Sequence, residues 1–140
     1  MKKTNEFVQN YLDAYKAMRE AAIEKIKNYG KTLEVEEVLK SRLMKKKGWT
    51  EWPAYGSEEA DSVEDDILEW KYNEMYWCSF EGKHEHIYCG YIPMVRWNAE
   101  RQEIEIYFDS NDGCVAEWLP ESYIGFERDA IYQTILEFID

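Results

Sequence analysis

Four side chains that bind metals or carry out nucleophilic chemistry lie within a stretch of twelve residues: Cys78, His84, His86 and Cys89. Two thiolates and two imidazoles are a ligand set for tetrahedral zinc, and a cysteine beside a histidine base is the basis of a thiol nucleophile. Either chemistry needs the side chains to meet in space. A small metal-dependent hydrolase centred on His84 and His86 is therefore one hypothesis for the function.

The local structure predicted around these residues does not favour their convergence. A two-residue turn at 82–83 makes a β-hairpin in which Cys78 pairs with Ile87. In that register both thiols lie on one face of the hairpin and both imidazoles on the other. We therefore interpret Cys78 and Cys89 as buried structural thiols, and we predict no metal, no cofactor and no catalytic residue.

The second candidate site is a segment in which aromatic side chains precede a run of carboxylates. Its members are Trp49, Trp52, Tyr55, Glu58, Glu59, Asp61, Glu64, Asp65 and Asp66. Aromatic anchors supply much of the binding energy of protein interfaces, and spaced carboxylates imitate the charges of a nucleic-acid backbone. The segment is predicted to be a partner-binding loop. The alternative is a solvated loop that its tryptophans anchor to the core.

The formal net charge of −12 is unevenly distributed along the 140 residues. Residues 1–48 contain 12 Lys or Arg and 7 Asp or Glu, whereas residues 49–140 contain 5 and 22. Acidic charge repels phosphates, so we expect no direct binding of nucleic acid. Such a field attracts a basic protein surface, and the alternative is that it serves solubility alone.

The basic residues near the end of the first 48 offer another kind of contact. They are Lys40, Arg42, Lys45, Lys46 and Lys47. These cations could meet an acidic partner or the acidic half of a second copy, so self-association is one interpretation. A solvated helix end is the other.

Apolar periodicity predicts two helices before residue 49. Apolar side chains recur at spacings of three and four over 5–29, and a second helix is predicted over 33–46. Gly30 and Gly48 suit the left-handed position just past a helix end. The short connection between the two helices predicts an antiparallel helical hairpin.

Alternation with a period of two predicts strands over 67–118. Residues 98–101 are interpreted as a hairpin loop that pairs Trp97 with Gln102. Pro93 cannot donate to a ladder, so its strand is expected at an edge of the sheet or to begin there. A last amphipathic helix is predicted over 127–139.

These elements predict an α+β fold with two N-terminal helices, a central antiparallel sheet of four or five strands, and a C-terminal helix packed on the sheet. We interpret the chain as one domain, with a basic helical hairpin at 1–48, an acidic aromatic loop at 49–66, and an acidic sheet with its helix at 67–140. No apolar run is long enough for a membrane span and no export signal is visible, so we expect a cytoplasmic protein that contacts no membrane and has reduced thiols.

The function that these features favour is a non-enzymatic acidic protein that binds a basic protein surface, such as a nucleic-acid mimic that inhibits a nucleic-acid-binding enzyme in an anti-defence role. Two alternatives stay open. One is the hydrolase at His84 and His86. The other is a module that binds a small ligand or carbohydrate on an aromatic sheet face.

Overall fold

The fold is α+β, as predicted, and the computed structural model describes residues 5–73, 76–125 and 127–140. In chain order its elements are α1 (Glu6–Tyr29), β1 (Leu33–Glu34), α2 (Val35–Lys47), α3 (Glu58–Asn73), β2 (Trp77–Glu81), β3 (Ile87–Asn98), β4 (Glu103–Ser110), β5 (Ala116–Pro120) and α4 (Asp129–Phe138). Short 3₁₀ turns occupy Lys83–Glu85 and Glu121–Tyr123.

The ends of the first two helices follow the predicted signals. The Asn5 side chain accepts a hydrogen bond from the backbone N–H of Phe7 at 2.8 Å, which caps α1. Gly30 and Gly48 end α1 and α2 with φ values of 71° and 73°. Only glycine adopts this left-handed conformation without a steric cost, so these two residues set the helix boundaries.

The predicted antiparallel hairpin of α1 and α2 is not the packing that forms. Leu33 and Glu34 were expected to begin the second helix. In the structure they form strand β1, which pairs with Val95 and Met94 of β3. As a result α1 packs most extensively against α4, while α2 contacts α3, α4 and β3. Pairing Leu33 in the sheet buries its side chain completely, which the start of a surface helix would not do.

The five strands form one antiparallel sheet in the order β1-β3-β4-β5, with β2 also paired to β3. The expectation that the strand of Pro93 lies at an edge or begins there is wrong, because β3 has neighbours on both sides. The register slips between Tyr91 and Met94, and Pro93 lies in that irregularity. On the other edge of β3, the pairing with β2 ends at Tyr91 and the pairing with β1 begins at Met94. Pro93 therefore lies between two paired segments, and its missing N–H removes no hydrogen bond from the sheet.

The hairpin of β3 and β4 has a register two residues from the predicted one, because Trp97 pairs with Ile104 and not with Gln102. The turn is longer than expected. Gln102 takes a positive φ of 52°, and its side-chain amide donates to the carbonyl of Ala99 at 2.7 Å. A shift of two residues preserves which side chains share a face.

One face of the sheet is covered by helices. Side chains from α1, α4 and the strands form the core there: Ala22, Ile26, Leu33, Val95, Ile104, Ile106, Phe108, Ile131, Tyr132 and Ile135 are among them. The predicted packing of the C-terminal helix on the sheet is therefore confirmed. Within the described ranges, every helix is too short or too polar to cross a lipid bilayer.

Candidate functional site

The acidic part of the predicted loop is a helix. Helix α3 begins at Glu58, and the hydroxyl of Ser57 accepts a hydrogen bond from the backbone N–H of Ala60 at 3.2 Å. Ala60, Val63 and Ile67 are buried at spacings of three and four, which is the apolar stripe of a helix. The loop interpretation is therefore wrong from Glu58 onward, and so is the predicted strand that starts at Ile67.

Helix α3 carries a dense negative charge. Its 16 residues include seven Asp or Glu and one Lys, a net charge of −6. An α-helix of this length extends about 24 Å, which gives one net charge per about 4 Å. A nucleic-acid strand carries one charge per about 3.4 Å of helix axis, so the two charge densities are similar. All six predicted acids, from Glu58 to Asp66, and Glu69 are exposed.

Four of these carboxylates form a ridge on the side of α3 opposite its buried stripe. Glu58, Asp61, Asp65 and Glu69 follow one another at spacings of three, four and four residues. Neighbours at such spacings have Cβ atoms about 5–6 Å apart, and like charges there destabilise a helix by about 0.2–0.5 kcal/mol per pair. Among the described residues, no ion pair uses a carboxylate of α3. The ridge is therefore open to a cationic partner.

The three aromatic residues of the predicted site are not gathered in one place. Trp49 is half-buried and lines a shallow cleft of about 240 Å³ together with Lys47, Glu58 and Glu59. Trp52 lies against helix α2, with its ring centroid 5.4 Å from Nζ of Lys40. Tyr55 is fully exposed. The structure thus places Trp49 beside the first acids of α3, Trp52 beside α2 and Tyr55 in solvent.

Two of the basic residues of α2 form ion pairs, and the other three are exposed in its last turn. Lys40 lies 3.7 Å from Glu37. Arg42 lies 3.7 Å from the carboxylate of Asp140 and donates to the carbonyl of Glu137 at 2.8 Å, which ties α2 to the end of the chain. The exposed cations Lys45, Lys46 and Lys47 occupy the last turn, where they complement the helix dipole.

The four cysteine and histidine side chains do not converge. Cys78 pairs with Gly90, and Ser79 pairs with Cys89, three residues away from the predicted register. The turn is longer than predicted because His84 and Glu85 both take positive φ angles, 59° and 60°.

This register puts the two thiols on opposite faces of the hairpin. Cys78 is buried as predicted, whereas the prediction of a buried Cys89 is wrong. His84 and His86 are exposed. Nowhere in 5–73, 76–125 or 127–140 do three His, Cys, Asp or Glu side chains lie close enough together to hold a metal ion.

We expect the three thiols to react at very different rates. Burial raises the pKa of Cys78 to about 12, so its thiolate is scarce at neutral pH. Cys114 is exposed, but its hydrogen bond to Asp112 raises its pKa, so it should react more slowly than Cys89. Timed alkylation at pH 8 with peptide mass spectrometry should find Cys89 modified first and Cys78 modified only after unfolding. Early modification of Cys78 would contradict the buried register.

The outward face of the sheet carries aromatic side chains in two neighbouring rows. Trp77, Tyr91 and Asp109 form one row across β2, β3 and β4. The next row consists of Met94, Tyr107 and Trp118, across β3, β4 and β5. The signal for an outward face was the alternation in β4, where Glu105, Tyr107 and Asp109 share one side.

A third row contains an ordered cation. The Arg96 guanidinium lies 3.8 Å from the ring centroid of Trp118, and its Nε donates to the carboxylate of Glu105 at 2.9 Å. Tyr107 meets Trp118 edge to face, with centroids 5.6 Å apart. The guanidinium is thus held between an aromatic ring and a carboxylate, an arrangement that suits its planar charge.

Comparison of the chain with protein-family models, with curated proteins and with solved structures gave no match.

Proposed function

We propose that this protein is a non-enzymatic acidic interaction protein that binds a basic surface on another protein, and that α3 acts as a nucleic-acid mimic. The observation that carries the proposal is the exposed ridge of Glu58, Asp61, Asp65 and Glu69, whose carboxylates take part in no ion pair with a described residue. A partner that binds nucleic acid has cations spaced to meet such a row. An inhibitor of such an enzyme, acting in the cytoplasm, is the role that fits best.

Charge would speed the encounter, and aromatic contact would hold the complex. Exposed charges steer association and lose their effect as salt rises. Trp49 lies at the cleft that Lys47, Glu58 and Glu59 also line, where a side chain of the partner can contact the ring and the carboxylates together. Desolvated aromatic side chains of this kind supply much of the energy of interfaces.

The first experiment is capture from a bacterial lysate on the immobilised protein, with elution by rising salt and mass spectrometry of the eluate. We expect basic nucleic-acid-binding enzymes. In the variant Asp61→Gln, Asp65→Gln, Glu69→Gln, a captured partner should bind about tenfold more weakly at low salt. Three exposed contacts at about 0.5 kcal/mol each give that factor.

The matched control neutralises three exposed carboxylates elsewhere, as Glu20→Gln, Glu24→Gln, Glu36→Gln. It changes the net charge equally but leaves the ridge intact, so it should keep nearly all of the affinity. A competition assay then asks whether the protein displaces DNA or RNA from its partner. Equal losses in the two triple variants would show that only net charge matters and would remove α3 as the site.

A further inference from the structure

In the part of the chain that the structure describes, the outward face of β2, β3, β4 and β5 lacks the helical layer that covers the other face. Of the described side chains that point outward from these strands, only Glu105 is buried. Trp77 is 36% exposed, and Tyr107 and Trp118 are half-exposed. An antiparallel sheet with one solvated face normally carries polar side chains there, so a platform of large aromatics suggests a contact surface.

The chain itself shows which group this face accommodates. The Arg96 guanidinium occupies the space between the ring of Trp118 and the carboxylate of Glu105. Arginine combines stacking on a ring with charged hydrogen bonds to a carboxylate, which the compact ammonium of lysine does less well. The local chemistry therefore selects a guanidinium over other cations.

A second place on the same face has the ring and the carboxylate but no arginine. Tyr107 and Asp109 are two residues apart on β4 and point outward together. Asp109 accepts a hydrogen bond from the hydroxyl of Tyr91 at 2.8 Å, which orients the carboxylate. It takes part in no ion pair among the described residues. Its neighbour on β5 is the small, exposed Ala116, which leaves the approach from that edge open.

We propose that this second place binds an arginine side chain of the basic partner, with the guanidinium stacked on Tyr107 and paired with the carboxylate of Asp109. The inference rests on the proposed function and names the residue type that the partner presents. Charge complementarity supports it, because residues 49–140 contain 22 acidic and 5 basic side chains. The partner's arginine would enter over Ala116 and repeat the arrangement that Arg96 makes with Trp118 and Glu105.

The test uses a Gly/Ser-rich peptide that carries several arginines and a matched peptide with lysine at each of those positions. We expect the arginine peptide to bind about fivefold more tightly by calorimetry, a factor typical of one stacked and paired guanidinium. In NMR spectra it should shift the indole signal of Trp118, assigned with the variant Trp118→Phe. Asp109→Asn and Ala116→Phe should each reduce the preference for arginine to near one.

The matched control for Asp109→Asn is Glu117→Gln, which removes one charge from an exposed residue of β5 on the other side of the strand. It should leave the preference for arginine unchanged. Equal affinity for the two peptides, or an arginine preference that survives in Asp109→Asn and Ala116→Phe, would overturn the inference. A neutral oligosaccharide that shifts the same indole signal while neither peptide does would also overturn it, in favour of a carbohydrate site.

The ridge variant Asp61→Gln, Asp65→Gln, Glu69→Gln separates this inference from the proposed function. If neutralising α3 weakens both peptides equally while Asp109→Asn has no effect, the mimic proposal stands and the arginine site is wrong. If only the sheet variants lower affinity, the arginine site stands and α3 is not the contact. Failure of both peptides to bind at low salt would count against both proposals.

Discussion

Replacing Gly90 by alanine is expected to destabilise the fold by about 3 kcal/mol, at the upper end of the usual cost of overpacking. A Cβ atom at this position would lie 2.2 Å from the carbonyl oxygen of Asp109 and 2.8 Å from the Cα of Ser110. Both are backbone atoms of β4, the strand paired with Gly90, so they cannot move aside as the end of a flexible side chain could. The strands would have to separate where their hydrogen bonds hold them together.

Thermal and urea unfolding of the Gly90→Ala variant measures this loss. The matched control is Gly125→Ala, because a Cβ at Gly125 meets no atom within 4 Å and should change the stability by less than about 0.5 kcal/mol. Since Gly90 allows the close approach that puts Tyr91 beside Asp109, the variant should also lower the affinity for the arginine peptide. Near-native stability of Gly90→Ala would show that β3 and β4 are farther apart here than the structure has them.

Helices whose signals are local are the elements that the sequence predicted best. Helix α1 has an apolar stripe of more than six turns, an asparagine cap at Asn5 and a glycine stop at Gly30. Each signal depends only on neighbours in the sequence. The same holds for α4, whose buried Ile131, Ile135 and Phe138 follow the helical period.

Helix α3 was not predicted because its apolar stripe is short and lies within a dense run of acidic residues. Only Ala60, Val63 and Ile67 are buried between Glu58 and Glu69, and the first of them is the small alanine. The carboxylates in the first turn favour a helix through its dipole, although a dense acidic run also resembles a solvated loop. The six acidic residues predicted to bind a partner are exposed in the structure, whereas the helix that spaces them was not predicted.

Strand register and the solvated sheet face depend on contacts that are distant in sequence. The turn before β3 needs left-handed backbone at His84 and Glu85. Histidine adopts this conformation more often than most residues, but glutamate does not, and two such residues in succession are not expected from the sequence. Its extra length moves Cys89 to the outward face. In β4 the acidic residues on the side of Tyr107 indicate the solvent side, but β2 and β3 carry apolar residues on both sides. There the packing of α1 and α4 decides which side is buried, so alternation alone could not separate core from surface.

The buried carboxylate of Glu121 is the second position where a single change should have a large effect. Its side chain is 5% exposed and accepts hydrogen bonds from Nε and Nη2 of Arg19 at 2.8 and 3.2 Å. The hydroxyl of Tyr132 donates to it as well. These bonds connect α1, the 3₁₀ turn after β5, and α4. Glu121→Ala should therefore destabilise the protein by about 3 kcal/mol, because the Arg19 guanidinium and the buried Tyr132 hydroxyl both lose their charged partner.

The conservative variant Tyr132→Phe removes one of these bonds and should cost about 1.5 kcal/mol. Burial first, and then the bond to Glu121, raise the pKa of Tyr132 above its ordinary value of 10.0. The protonated phenol thus contributes stability that is complete below pH 10 and is lost as the pH rises further. Tyr132→Phe should abolish that part of the alkaline loss, measured as the urea midpoint between pH 8 and pH 11.

The double-mutant cycle of Arg19→Met and Glu121→Gln distinguishes a shared network from independent losses. If the three side chains act together, the second substitution should cost much less once the first has been made, with a coupling of about 1–2 kcal/mol. Glu24→Ala, at an exposed position of α1, is the control and should change the stability by less than about 0.5 kcal/mol. Additive losses would mean that Arg19, which is 42% exposed, pairs with Glu121 too weakly to hold α1 in place. In that case the apolar residues of α1, the edge-to-face contact of Tyr15 with Tyr132 and the bond from Lys25 to the carbonyl of Ile139 would hold α1 in place.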